Sequence, residues 1–126
     1  MTKTNKGILS MTIGEIGDAV LDSLIGLVVK AEESEQVERL TFEGLRSRAV
    51  LLAENYEDAR RCKCVICRDS ARGVYAIGVW AVDSSGQIVQ DEYGMAQKVL
   101  DAKKLDDKLL GMLNGHVCAN FILELN

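Results

Sequence analysis

The chain has 126 residues, 48% hydrophobic and 27% charged, with a formal net charge of −4 at pH 7. These values predict one globular domain over 1–126, with residues 1–9 as a flexible N-terminal arm. The negative charge argues against general nucleic-acid binding, and the absence of an apolar run of about 18 residues argues against a membrane span. No signal-peptide pattern is present, so we expect a cytoplasmic protein whose four cysteines are not in disulfides.

Two helices are predicted in the first half of the chain. Thr12 and Glu15 have the spacing of a capping box. They begin a predicted helix over 12–33, in which apolar residues recur at steps of three and four. A second helix is predicted over 34–60, and the two would form a hairpin. A short strand at 37–43 is the alternative, because VERLTFE also alternates between apolar and polar residues.

From residue 61 onward the apolar period changes to two, which predicts strands. Three strands are expected, over 61–67, 73–83 and 87–93. A tight turn with Gly86 in the left-handed region is expected between the second and third strands. Helical spacing then returns over 94–113, and Asn114 and Gly115 end the predicted helix. A last strand is predicted over 116–125. The expected order is ααβββαβ. The predicted fold class is therefore α+β, a four-stranded, mainly antiparallel sheet packed with a helical hairpin and a third helix.

The segment RRCKCVICRDSARG, residues 60–73, places three cysteines within six residues. If the first two strands pair around a polar loop at 68–73, Cys67 lies opposite Val74. Cys62 and Cys64 then share an apolar face, where a cysteine behaves as a small hydrophobic residue. Cys67 points to the opposite face. The segment is therefore interpreted as a mostly buried strand with charged residues around it.

Two chemical roles for the cysteines stay open. Cys62, Cys64 and Cys67 could bind a metal together with Cys118, and with His116 as a further ligand. Zinc sites usually draw on Cys-x2-4-Cys pairs at turns, and in an extended segment Cys67 would not converge with the other two. A redox or catalytic thiol is the other role, because nearby arginines would lower the pKa of an exposed thiol.

The same register predicts a second apolar sheet face that carries Trp80. It places Arg61 opposite Trp80 and Lys63 opposite Gly78, so that Arg61 and Trp80 could form a cation–π pair. Such a face needs cover, either from helices of the same chain or from a second protomer. An apolar face with a tryptophan and flanking arginines has the composition of a protein interface.

The leading functional hypothesis is a non-enzymatic cytoplasmic binding or adaptor protein that acts as a homo-oligomer, most simply a dimer, through this face. The alternative is a binder of an anionic small molecule such as a nucleotide, since residues 46–72 hold seven basic and four acidic residues. A cysteine-based metal or thiol protein is a third possibility. No catalytic set, phosphate-binding glycine motif or cofactor is expected. The predicted ligand-binding or interface residues are Arg61, Lys63, Arg68, Arg72 and Trp80.

Overall fold

The structure, a computed structural model, describes residues 8–10, 34–92 and 94–125. The α+β class is confirmed, with two helices and a five-stranded mixed sheet in the order βαβββαβ over 35–124, and a short strand at 8–10 extends one edge of the sheet. The elements are β1 Ile8–Ser10, β2 Glu35–Leu40, α1 Phe42–Ala53, β3 Arg61–Asp69, β4 Val74–Val82, β5 Gln90–Asp91, β6 Gly94–Met95, β7 Gln97–Leu105, α2 Asp107–Leu113 and β8 Cys118–Glu124.

The main sheet has the strand order β1-β8-β3-β4-β7-β2. Its pairs are antiparallel except for β2 and β7, which are parallel. The sheet is therefore mainly antiparallel, as expected, but the prediction of four strands was wrong. β5 and β6 pair with each other in a separate small ribbon. Neither helix in the described part of the chain is long and apolar enough to cross a bilayer.

The predicted helix over 34–60 was wrong in its first part, where β2 forms instead. The strand alternative was closer, because Val37 of β2 packs against the core and Leu40 is buried in it. The helix begins only after Thr41, whose extended backbone and hydroxyl, accepting a hydrogen bond from Gly44 N at 2.9 Å, form its N-cap. The predicted helix over 12–33, and hence the helical hairpin, lies outside the described residues.

The predicted helix over 94–113 was also wrong in its first part. Residues 97–105 form β7, which lies between β4 and β2 and is buried over four consecutive positions, Val99–Ala102. A strand covered on both faces loses its alternation, so its apolar residues also fit helical spacing. Only Asp107–Leu113 is helical. The strand predicted over 87–93 is reduced to a bridge between Ile88 and Val82 and the short β5.

Both turns predicted from glycine positions are confirmed. Gly86 adopts a left-handed φ of 89° in the turn after β4, and its amide bonds Asp83 O at 2.9 Å. Asn114 and Gly115, with φ of 49° and 82°, end α2 before β8 begins. The left-handed region favours glycine and asparagine, which explains why these positions could be recognised in the sequence.

The helices and one face of the sheet enclose the main core. We call this side of the sheet the helix face. α1 contributes Phe42, Leu45, Ala49 and Ala53, which recur at helical spacing. The buried sheet residues of the same core are Leu40, Cys62, Cys64, Ile66, Ile77, Val79, Ala81, Leu100, Ala102, Leu105, Ala119, Phe121 and Leu123.

One carboxylate joins the starts of the two helices. Asp106 is the N-cap of α2, and its Oδ1 accepts a hydrogen bond from Leu109 N at 2.9 Å. Its Oδ2 accepts one from Phe42 N, the first amide of α1, also at 2.9 Å. The first amides of a helix have no partner within the helix, so Asp106 satisfies donors of both helices.

We expect Asp106→Ala to lower the free energy of unfolding by about 1–3 kcal/mol, because it removes a cap and leaves a second amide unsatisfied. Urea denaturation measures this change. Asp107→Ala is the matched control, since Asp107 is exposed in the same turn and its loss should cost about 0.5 kcal/mol or less. Equal denaturation midpoints for the two variants would show that Asp106 does not join the helices.

Candidate functional site

The cysteines of β3 separate onto the two faces of the sheet, as the sequence predicted. Cys62 and Cys64 belong to the core of the helix face, and both are fully buried. Cys67 lies on the opposite side, which we call the second face. The buried residues of the second face are Val65, Cys67, Ala76, Trp80, Val82, Val99, Asp101, Asn120 and Ile122.

The register of the β3–β4 hairpin differs from the prediction by two residues. Cys67 lies opposite Ala76, not Val74, because β3 runs two residues further, to Asp69, which pairs with Val74, and the loop shortens to 70–73. Gly73 closes this loop, with φ of 70° and its amide bonding Asp69 O at 2.9 Å. A shift of two residues keeps every side chain on its predicted face.

Trp80 is a core side chain of the protomer. It is 0% exposed, and its indole Nε1 donates a hydrogen bond to Gln97 Oε1 at 3.0 Å. The corrected register places Lys63 opposite Trp80 and Arg61 opposite Val82, so the expected pairing of Arg61 with Trp80 was wrong. Both described helices pack on the other side of the sheet.

The four predicted basic residues do not form one cluster. Arg61 and Lys63 lie near the start of β3, whereas Arg68 lies at its other end. Seven residues of extended strand separate Arg61 from Arg68 by roughly 23 Å. Arg68 also points to the helix-face side and lies over the ring of Tyr75, with 5.8 Å between its Cζ and the ring centre. A single small anion would not bridge these positions.

Arg72 is bound within the protein by two carboxylates. Its Nη1 and Nη2 donate to Asp101 at 2.9 and 3.2 Å, and its Nε donates to Asp69 at 2.7 Å. Asp101 also accepts hydrogen bonds from the Ser34 hydroxyl at 2.9 Å and the Gln36 amide at 3.2 Å. The network therefore ties the β3–β4 loop to β7 and β2.

These contacts shift the pKa values of the two carboxyl groups in the network. Burial of Asp101, which is only 5% exposed, raises the pKa of its carboxyl. The hydrogen bonds from Arg72, Gln36 and Ser34 outweigh that effect and hold the pKa below its usual value. Hydrogen bonds from Arg72 likewise lower the pKa of Asp69. The charge of Arg72 is thus balanced by two carboxylates, which disfavours the binding of an external anion at this position.

The possible metal ligands are divided between the two faces. Cys62 and Cys64 are in the core, where burial raises the pKa of the Cys62 thiol to about 12 and also raises that of Cys64. Cys67 instead meets Cys118 on β8, with 2.6 Å between the sulfur atoms. His116 is exposed and lies two residues before that strand begins. In the part of the chain that the structure describes, no group of three potential metal ligands converges.

A second charged cluster was missed in the sequence because it depends on 35–40 being a strand. Glu35 of β2 accepts two hydrogen bonds from Arg48 of α1, at 2.6 and 3.1 Å, and its carboxylate lies 3.2 Å from Lys98 Nζ. The bonds from Arg48 lower the pKa of Glu35 to about 2. The cluster lines a surface cavity of about 420 Å³ together with Ser47, Leu51 and Leu52.

This cavity lies beside the open edge of the sheet. β2 is the last strand in the order, and its other side pairs with no strand among the described residues. Leu51 on α1 is 64% exposed at the rim of the cavity. The cluster consists of Glu35, Arg48 and Lys98. These residues are too far apart in the sequence to be recognised as a cluster without the fold.

Comparison of the chain with protein-family models, with curated proteins and with solved structures finds no match.

We expect Asp101→Asn to lower the free energy of unfolding at pH 7 by about 2–4 kcal/mol, because it leaves Arg72 without its buried partner. The folded-state pKa of Asp101 is depressed, so its contribution is present above the unfolded pKa near 4 and is lost as pH falls through the folded value. The difference in free energy of unfolding between wild type and variant, measured by urea denaturation, should therefore become smaller below about pH 4.

Asp69→Asn is the control for this variant, since it removes the less buried acidic partner of Arg72 and leaves Asp101, the more buried one. Its effect at pH 7 should be clearly smaller than that of Asp101→Asn. The network would be contradicted if Asp69→Asn lowered the free energy of unfolding as much as Asp101→Asn does. It would also be contradicted if the difference between wild type and Asp101→Asn did not depend on pH.

Proposed function

We propose that the protein is a non-enzymatic cytoplasmic binding or adaptor protein that works as a homo-oligomer, most simply a dimer. The observation that carries this proposal is strand β2, whose outer edge pairs with no strand in the described part of the chain and which lies beside a cavity and an exposed leucine. Unpaired strand edges are templates for pairing with another chain. Leu51, 64% exposed beside this edge, would add apolar contact area to such a pairing.

The position of this interface differs from the one expected from sequence. Trp80 was expected at its centre, but the full burial of Trp80 makes it part of the protomer core. Gln36, Glu38 and Arg39, by contrast, are exposed along β2. We therefore place the interface at the β2 edge and the adjoining surface of α1.

The β2 sequence suits pairing with a second copy of itself. In an antiparallel pair related by a two-fold axis, each odd-numbered residue of one copy faces an odd-numbered residue of the other, and likewise for even-numbered residues. Paired side chains then lie on the same side of the sheet. With Val37 on the axis, Glu35 of one copy faces Arg39 of the other, and Gln36 faces Glu38. Shifting the axis to Glu38 or to Arg39 would place like charges opposite each other, which is unfavourable. The Val37-centred register is thus the complementary one.

The same axis brings the two α1 helices to the same side of a continuous sheet. Leu51 would then lie at the junction of the two copies, beside the cavity lined by Leu52 and the Glu35 cluster. Burial of an exposed leucine on association is favourable by about 1.5–3 kcal/mol. The apolar contact between helices would therefore add to the hydrogen bonds between the strands.

The anion-binding alternative has less support. Arg72 is held by Asp101 and Asp69, Trp80 is buried, and the remaining basic residues lie at opposite ends of β3. A thiol enzyme is likewise less favoured, because burial raises the pKa of three of the four cysteines. A thermal shift with nucleotides that is lost in Arg61→Ala would restore the anion-binding hypothesis.

We expect Val37→Lys and Val37→Glu each to dissociate the dimer, because each places like charges on the two-fold axis. An equimolar mixture of the two should associate again, since lysine then faces glutamate. Mass measurement by light scattering at matched concentrations tests this. Circular dichroism checks that both variants fold, because Val37 is partly buried against the core.

Val117→Lys is the matched control, because Val117 is 65% exposed at the opposite edge region, beside β8. It should leave the mass of the dimer unchanged. A wild-type mass of one chain, or association of the Val37 variants equal to that of wild type, would reject the β2 interface.

A further inference from the structure

Cys67 and Cys118 face each other across the β3–β8 pair. They are register partners, and their sulfur atoms lie 2.6 Å apart. The next pair along the two strands is Arg68 and Val117. It is a hydrogen-bonded pair, since Arg68 N donates to Val117 O at 2.8 Å. Cys67 and Cys118 therefore occupy a non-hydrogen-bonded position, where Cα atoms are typically about 4.5 Å apart. That separation is within the range that a disulfide spans without backbone movement.

The other two cysteines have a different environment. Cys62 and Cys64 are fully buried in the core of the helix face, and the Cys62 thiol lies 3.7 Å from Ala49 O. They sit on one strand with their side chains on the face opposite to that of Cys67. Of the four free cysteines, only Cys67 and Cys118 therefore form a facing pair on neighbouring strands.

The two members of the pair differ in access to solvent. Cys67 is 2% exposed, and burial, followed by its contact with Cys118, raises the pKa of its thiol. Cys118 is half-buried at the start of β8 and follows the exposed Val117. A soluble oxidant would thus reach Cys118 first, with Cys67 held against it as the second thiol.

We propose that Cys67 and Cys118 are a redox modification site, a dithiol that closes to an intramolecular disulfide when the protein meets a peroxide. Hydrogen peroxide converts the Cys118 thiol to a sulfenic acid and releases one water. The Cys67 sulfur then attacks the Cys118 sulfur, the S–O bond breaks, and a second water leaves as the disulfide forms. A dithiol reductant supplies the two electrons that reverse the reaction.

The disulfide would fix the end of β3 to the start of β8. These positions are 51 residues apart in the chain, so the crosslink would restrict the unfolded chain considerably. We expect the oxidised protein to melt about 5–15 °C higher than the reduced protein. The pair lies away from β2 in the strand order, so this site is independent of the proposed dimer.

The experiment treats the full-length protein with hydrogen peroxide, alkylates it under denaturing conditions, and measures its intact mass. The reduced protein should carry four alkyl groups, and the oxidised protein should carry two and be about 2 Da lighter before alkylation. Peptide mapping should find Cys67 joined to Cys118. Dithiothreitol should restore four alkylation sites and the lower melting temperature.

Cys62→Ala is the matched control and should still form the bridge. Cys118→Ser should show no rise in melting temperature with peroxide, and Cys67→Ser should instead carry added oxygen on Cys118. If one serine variant does not fold, the other tests the proposal. Four alkylatable thiols after oxidation, a crosslink between two chains, or a pairing that includes Cys62 or Cys64 would overturn it.

Discussion

Strand β3 is hydrogen-bonded on both sides, to β4 and to β8, and it buries side chains on both faces. This double constraint organises the rest of the described fold. Cys62, Cys64 and Ile66 build the core under the helices, while Val65 and Cys67 build the second face. The buried residues of RCKCVIC are cysteines, a valine and an isoleucine, which are small or β-branched and pack on both sides, as a strand in the middle of a sheet requires.

The β3–β4 hairpin and β8 could be predicted from sequence because turn residues and clear alternation mark them. Gly86, Asn114 and Gly115 adopt the left-handed conformations that their residue types favour. β2 and β7 could not be predicted so well. β7 is buried on both faces and shows no alternation, and β2 is stabilised by parallel pairing with β7, which lies some 60 residues later in the chain. Non-local pairing of this kind leaves little local signal.

In the candidate site, too, features set by local sequence could be predicted, whereas features set by non-local strand pairing could not. The opposite orientations of Cys62 and Cys67 depend only on strand period, so the sequence predicted them correctly. The four basic residues predicted to bind together with Trp80 do not form one cluster, because their positions depend on the register of the β3–β4 hairpin and on the partners of Arg72. The edge at β2 and the pairing of Cys67 with Cys118 each depend on which strands are neighbours. That information is contained in the topology and not in any short segment.

The proposed function requires β2 to be an interface between two copies of the chain. Amide hydrogen exchange, followed by NMR at several protein concentrations, tests this claim most directly. In a strand with one partner, the amides that point away from that partner exchange rapidly. The account predicts that these amides in residues 35–40 become protected as concentration rises, while β3 amides stay protected throughout. Exchange in β2 that does not change with concentration would contradict it.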